Sequence, residues 1–176
     1  MARYLNSRFE TSICPALGAS SYEIVEVIQE LWSGYGKIIR IQLRGGNTST
    51  VIAKQIQLGH AQNHPRGWNS SASHQRKLKS YQIETSWYRH WSQHCGNECR
   101  IPTLLACDQQ SDEIILVLED LDAAGYPVRL TSVSPAQLES CLDWLANYHA
   151  TFMGATPTDL WETGTYWHLG TRQDEL

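Results

Sequence analysis

Residues 73–95, SHQRKLKSYQIETSWYRHWSQHC, space their aromatic side chains as a helix would. At 3.6 residues per turn Tyr81, Glu84, Tyr88 and Trp91 share one face, with Ser80 and Trp87 beside them. Glu84 thus sits inside an aromatic stripe, where a carboxylate is costly without a cation. The best-placed cation is Lys54. It lies in TVIAKQI (50–56), a β-branched strand pattern in which Ile52, Lys54 and Ile56 share a face. An inward lysine on a strand and an inward glutamate on the next helix predict a Lys54–Glu84 ion pair. The alternative is that one or both reach solvent over an apolar rim.

The rest of the sheet follows from patterns on either side. YEIVEVIQELW, the loop SGYG, KIIRIQLRGG and NTSTVIAKQIQL read as a three-strand antiparallel meander, with strands near 22–32, 37–44 and 49–57 and a tight turn at Gly45-Gly46-Asn47. A breaker-rich loop fills 59–72, with Ser71 or Ser73 as the helix cap. Beyond Gly96-Asn97, RIPTLLACD and EIILVLEDL add strands near 100–107 and 113–118. Residues 1–20 read as an irregular lead with room for a short helix. From Glu119 the chain turns acidic, with Gly125 and Pro127, as a connector would. Ser134-Pro135 then opens a second helix with the stripe Leu138, Cys141, Leu142, Leu145, Tyr148, His149 and Phe152.

With 41% apolar and 18% charged residues among 176, the chain can bury a core. A formal charge of −4 gives no general pull on nucleic acid or an acidic membrane. No leader-like or membrane-spanning apolar run stands out, and of the five cysteines, an odd number, Cys14, Cys107 and Cys141 sit singly in ordinary contexts, so a reducing, cytoplasmic setting is expected.

Taken in order, SGYG (33–36), VIAK (51–54), HQRKLKSYQIETSWY (74–88), VLEDL (117–121) and CLDWLANYHATFMG (141–154) resemble the kinase-like small-molecule phosphotransferases. The similarity is to the choline/aminoglycoside kinase group and its ecdysteroid-kinase-like branch, over residues 20–169. The resemblance implies an α+β fold. A protein-kinase-like N-terminal lobe, with a five-stranded antiparallel sheet and one long helix, would occupy 1–120. A hinge would follow in 121–133, and the first helix of an incomplete C-terminal lobe in 134–176. It implies ATP as cofactor, with magnesium in a full-length parent. Lys54 would meet the α- and β-phosphates, held by Glu84. Gly34 and Gly36 would lie in the loop over the phosphates. Leu118, Glu119 and Leu121 would form the linker that meets adenine, through the backbone of Glu119 and Leu121.

Two departures qualify this. Ile39 stands where a protein kinase's third glycine would fall. The family's His-x-Asp loop, with its metal-binding Asn and a later metal-binding Asp, does not occur in these 176 residues. No catalytic or metal-binding residue is therefore assigned, and Asp120 and Asp122 are left to touch a ribose. The expectation is a truncated, inactive nucleotide-binding lobe whose parent phosphorylates an unidentified small-molecule alcohol. Helix 135–153 would leave its apolar stripe unshielded, and the chain would self-associate through 135–167, burying Leu142, Leu145 or Trp161 between copies. A non-catalytic kinase-like binding or scaffold module is the alternative. His90-x3-His94-Cys95-x3-Cys99 is the most metal-like grouping, but its spacing suits a helix end better than zinc. His149 reads as a core histidine.

Overall fold

Alternating branched side chains give the chain its sheet, and both faces of that sheet find cover. The computed structural model describes Leu5 and residues 7–46, 48–58, 71–164 and 168–171. The expected turn residue Asn47, the loop through residue 70 with His60 and His64, and Tyr166 and Trp167 lie outside the described residues. Five strands, β1 (Ser21–Glu30), β2 (Gly36–Arg44), β3 (Thr50–Gln57), β4 (Leu104–Gln109) and β5 (Glu113–Glu119), form one antiparallel sheet in the order β1-β2-β3-β5-β4. With three helices beside it, the fold is α+β. β4 begins later than the expected 100 because Pro102 has no N–H to give the ladder. Pairing resumes at Thr103, whose carbonyl accepts from Glu119 N at 2.9 Å. At the opposite edge, register shifts in β1 leave Val25 and Ile28 exposed.

Strand alternation sorts the core into two. On one face Ile39, Ile41, Val51, Ala53, Ile115 and Val117 meet Leu5, Phe9, Ile13 and Cys14. Those last residues belong to the lead, which holds the short helix the sequence allowed there and uses it to cover the sheet. A wide turn at Phe9–Ile13 runs into α1 (Cys14–Ala16). The signal was there: Leu5, Phe9 and Ile13 recur every four residues, one helical face. Arg8 fastens this cover, pairing with Asp108 at 2.8 Å and Glu113 at 2.9 Å. Glu113 is buried and also accepts from Gln55 Nε2 at 2.7 Å, so its charge is matched on both oxygens.

The other face carries Ile56, Ile114 and Leu116 against Leu31, Tyr35 and Tyr81. Here lies α2 (Ser71–Ser86), which takes up most of the expected 73–95 helix. Ser73 is inside it rather than at its cap. Helical winding continues as a widened turn at Trp87–Trp91 and a tight one at Ser92–His94. The hydroxyls of Thr85 and Ser92 donate to the carbonyls of Tyr81 and Tyr88, four residues back, at 2.8 and 2.6 Å. Such bonds compete with the helix ladder where it changes pitch.

α3 (Pro135–Phe152) starts at a capping box between Ser134 and Gln137. Its packed side is Trp144, Tyr148 and Phe152, each four residues from the last. Trp144 Nε1 donates to Arg100 O at 2.9 Å, and the Phe152 ring lies 6.1 Å from that of Trp91. Leu138, Leu142 and Leu145 face outward, as the expected unshielded stripe of 135–153 requires, whereas His149 is exposed rather than a core residue. Aromatic rings bury more surface than leucines, and the three that lie at one spacing set the helix's rotation. Among the described residues no helix is long and apolar enough to cross a membrane.

Candidate functional site

Lys54 sits mid-strand in β3, paired with Ile38 of β2 on one side and Leu116 of β5 on the other. Alternation turns it toward α2, where Glu84 arrives one turn after Tyr81. Nζ lies 2.6 Å from both Glu84 carboxylate oxygens. The expected pair is therefore formed, and formed symmetrically. Lys54 is 16% exposed and Glu84 32%, so the pair is half-buried, with one side open to solvent. Nζ is also 5.4 Å from the centre of the Tyr81 ring. Burial, and then the Glu84 charge, push the Tyr88 phenol above its ordinary value. Glu84 thus stands between the Lys54 ammonium and the Tyr88 phenol.

The pair opens on a cleft of about 860 Å³. One rim is the turn between β1 and β2, with Leu31 and Trp32. The other comprises Trp87 and Trp91, then Tyr148, Phe152 and Trp161. Gly34 and Gly36 shape the turn. Gly36 has φ +145°, and a Cβ there would sit 1.9 Å from the Gln55 carbonyl oxygen. A side chain at 36 is incompatible with the β2–β3 pairing. Between the glycines, Tyr35 points inward, buried, and its hydroxyl meets His74 Nδ1 of α2 at 2.5 Å. The loop expected to drape over phosphates is thus pinned to the helix by its central residue, while Trp32 stands exposed beside the cleft. Sequence reading missed this anchor, because a tyrosine between two glycines looks like a loop tip.

The linker residues lie elsewhere. Leu118 shares Lys54's sheet face, two pairs along from Leu116, but neither it nor Glu119 or Leu121 lines the cleft. The Glu119 amide donates to Thr103 O, its carboxylate accepts from Arg100 at 2.6 Å, and Leu121 O accepts from Tyr126 N at 2.8 Å. Of the backbone groups offered to adenine, the Glu119 N–H and the Leu121 C=O are already used by the fold.

Between Lys54 and that linker stands Arg40, which the sequence reading passed over. Alternation in KIIRIQL places it on Ile38's face, opposite Ile52. It bonds Asp120 at 3.0 Å, and also Asp122 and Glu26. Burial pulls the Arg40 guanidinium down, but the three carboxylates together hold it above its ordinary value. Arg129 closes the cluster on Asp122. The acids left for a ribose are instead neutralised in a tie between β1, β2 and the linker. A signal existed: an arginine at an inward position of a central strand, with two aspartates ahead in the chain.

A pH dependence follows. The Arg129 hydrogen bond, with the Arg129 and Arg40 charges, outweighs desolvation and lowers the Asp122 carboxyl below its usual value. A depressed folded-state value contributes stability above the unfolded pKa of about 3.9, and loses it as pH falls through the folded one. Asp122→Asn is expected to flatten the fall in urea midpoint between pH 5 and 2. An unchanged acid slope would contradict the cluster.

The histidine–cysteine grouping does not gather into a centre. His90 and His94 are exposed, and His94 packs edge-on against Phe152. Cys99 is buried, 3.6 Å from the Thr151 hydroxyl, while burial and then neighbouring Cys99 push the Cys95 thiol up to about 11. Among the described residues no group of three or more His, Cys, Asp or Glu side chains could hold a metal ion. No family model matches the chain, and no match to a curated protein is found.

Proposed function

We propose that the cleft binds a nucleotide, with Lys54 on its phosphates and Glu84 holding the lysine in place, and that the chain is the nucleotide-binding lobe of a kinase-like small-molecule phosphotransferase. One observation carries the reading. Lys54 is positioned from both sides of its strand, paired to both oxygens of Glu84, and still borders an open cleft. A lysine serving only to neutralise Glu84 has no need of such a cleft. Lys77 lines the same space and adds positive charge for an anionic ligand.

The reading stops at binding. ATP, when bound, would supply a transferable phosphoryl group. Transfer also needs metal ions on the phosphates and a group orienting the acceptor alcohol. The donor set among the described residues does not fit magnesium, since Asp120 and Asp122 are taken up by arginines. A non-catalytic binding or scaffold module is the second reading, and one observation favours it: Tyr35 fixes to α2 a loop that would otherwise close on a ligand.

Titration with ATP, followed by calorimetry on the chain and on Lys54→Met, tests the proposal. The chain is expected to bind, and the variant at least tenfold more weakly, about 1.4 kcal/mol. The methionine stem still packs, so folding should persist. Equal affinities would remove Lys54 from the site, and an absence of binding to the wild-type chain would favour the scaffold.

A further inference from the structure

We infer that Cys95 and Cys99 form a redox-sensitive latch, a dithiol that closes to a disulfide under hydrogen peroxide and ties the end of the α2 winding to α3. The inference does not depend on what the cleft binds.

Cys14 lies in α1, Cys107 in β4 and Cys141 on the exposed side of α3, whereas Cys95 and Cys99 share one short connection. Cys95 follows the tight turn Ser92–His94, and its amide donates to Ser92 O at 3.1 Å. Cys99 closes the next turn, Asn97–Cys99, its amide donating to Gly96 O at 3.3 Å. Two cysteines four residues apart across such a turn can meet the Cα spacing that a disulfide needs. Their thiols are already hydrogen-bonded to one another. Gly96, between them, has nothing within 4 Å of the place a Cβ would take, so the turn has room to tighten. The pair is unequally open. Cys95 is half-buried and Cys99 only 1% exposed, so a small oxidant meets Cys95 first and Cys99 stands behind it as the resolving thiol.

Cys99 is seated on α3. Its Sγ lies 3.6 Å from the Thr151 hydroxyl, which gives its own proton to Asn147 O at 2.8 Å, so the Cys99 thiol is the donor to it. Both sulfurs are near enough to the Tyr148 phenol for their charge to raise it. A bond between them therefore joins the winding that carries Trp87 and Trp91 to the helix that carries Tyr148 and Phe152, and all four rings line the cleft. Closure is a two-electron oxidation. The Cys95 thiolate attacks one peroxide oxygen, the O–O bond breaks, and a sulfenic acid forms as hydroxide leaves. The Cys99 thiolate then attacks that sulfur, the S–S bond forms, and a second hydroxide leaves. The two thiol protons convert both hydroxides to water. Burial, with Cys99 beside it, keeps the Cys95 thiol protonated up to about 11. The resting pair is thus a dithiol, and closure is slow at neutral pH and quickens as pH rises. Thiols that leave reluctantly also make the closed bond slow to reduce.

The test exposes the full chain to hydrogen peroxide, with Cys141→Ser in place to remove the exposed thiol on α3. One tryptic peptide, 90–100, HWSQHCGNECR, holds both cysteines. After blocking with iodoacetamide it should appear without label and about 2 Da lighter than the reduced peptide, and dithiothreitol should return both thiols. The oxidised chain should unfold at a urea concentration higher by about 1 M, the scale set by a short closed loop and an ordinary urea slope. Cys95→Ser, at the half-buried position, should keep the fold and lose both the lighter peptide and the rise in midpoint. A treated chain whose peptide 90–100 still takes two labels would overturn the latch. So would a sulfinic or sulfonic acid at Cys95 formed without the lighter species. A disulfide that forms but leaves the urea midpoint unchanged would overturn it as well, because such a bond ties nothing.

Discussion

Gly36→Ala is expected to lower the stability of the chain by more than about 3 kcal/mol, the range reached when a backbone conformation and a close contact are violated together. At φ +145° an alanine is strained in any surroundings, and here its Cβ would lie 1.9 Å from Gln55 O and 2.9 Å from Gln55 C. Both atoms are backbone of β3, the strand that carries Lys54, so relief must come from separating β2 from β3. Gly18 supplies the control. It has φ +66° with nothing within 4 Å of the place a Cβ would take, so Gly18→Ala should cost only the left-handed penalty of about 1–2 kcal/mol. Urea midpoints for the two variants check the contrast. Similar losses would mean that the turn yields easily and that Gly36 is not what fixes Lys54's strand.

Glu84→Ala should destabilise the chain more than Lys54→Met does. Removing the carboxylate leaves an ammonium that is only 16% exposed, beside Tyr81, without its partner. Breaking a fully buried pair in this way costs about 3–5 kcal/mol. Glu84 is a third exposed and water can reach the site, so about 1–3 kcal/mol is expected here. Lys54→Met removes the charge and keeps the stem, leaving a carboxylate that can turn to solvent. Combining the two changes should therefore recover part of the Glu84→Ala loss. Denaturant unfolding of the two single variants and the double variant measures this coupling. Strict additivity would show the contact to be weak in solution.

The sheet and the pair were legible because each rests on one local period. Alternation in TVIAKQI fixed which way Lys54 points, and helical spacing in YQIETSWY fixed Glu84. Where two patterns had to be joined across the chain, sequence reading fell short. The Leu5, Phe9, Ile13 face was visible, yet nothing local says that it covers the far side of the sheet. Arg40 stood out only as an inward arginine on its strand, because the two aspartates it claims, Asp120 and Asp122, lie 80 and 82 residues away. In α3 the stripe of leucines and the stripe of rings overlap in sequence. The ring contacts to Trp87 and Trp91, which belong to a different helical segment, decided between them. His149 moved outward with that choice. The burial of Tyr35 was not legible because it depends on His74, on the far side of a loop.

The central claim is that phosphates sit on Lys54 while Glu84 holds it. A crystal structure of the chain with a non-hydrolysable ATP analogue tests this most directly. Phosphate oxygens should lie within about 3 Å of Lys54 Nζ, the length of a charge-assisted hydrogen bond, with the Lys54–Glu84 pair intact. Phosphates bound elsewhere, with Lys54 facing only Glu84, would contradict it.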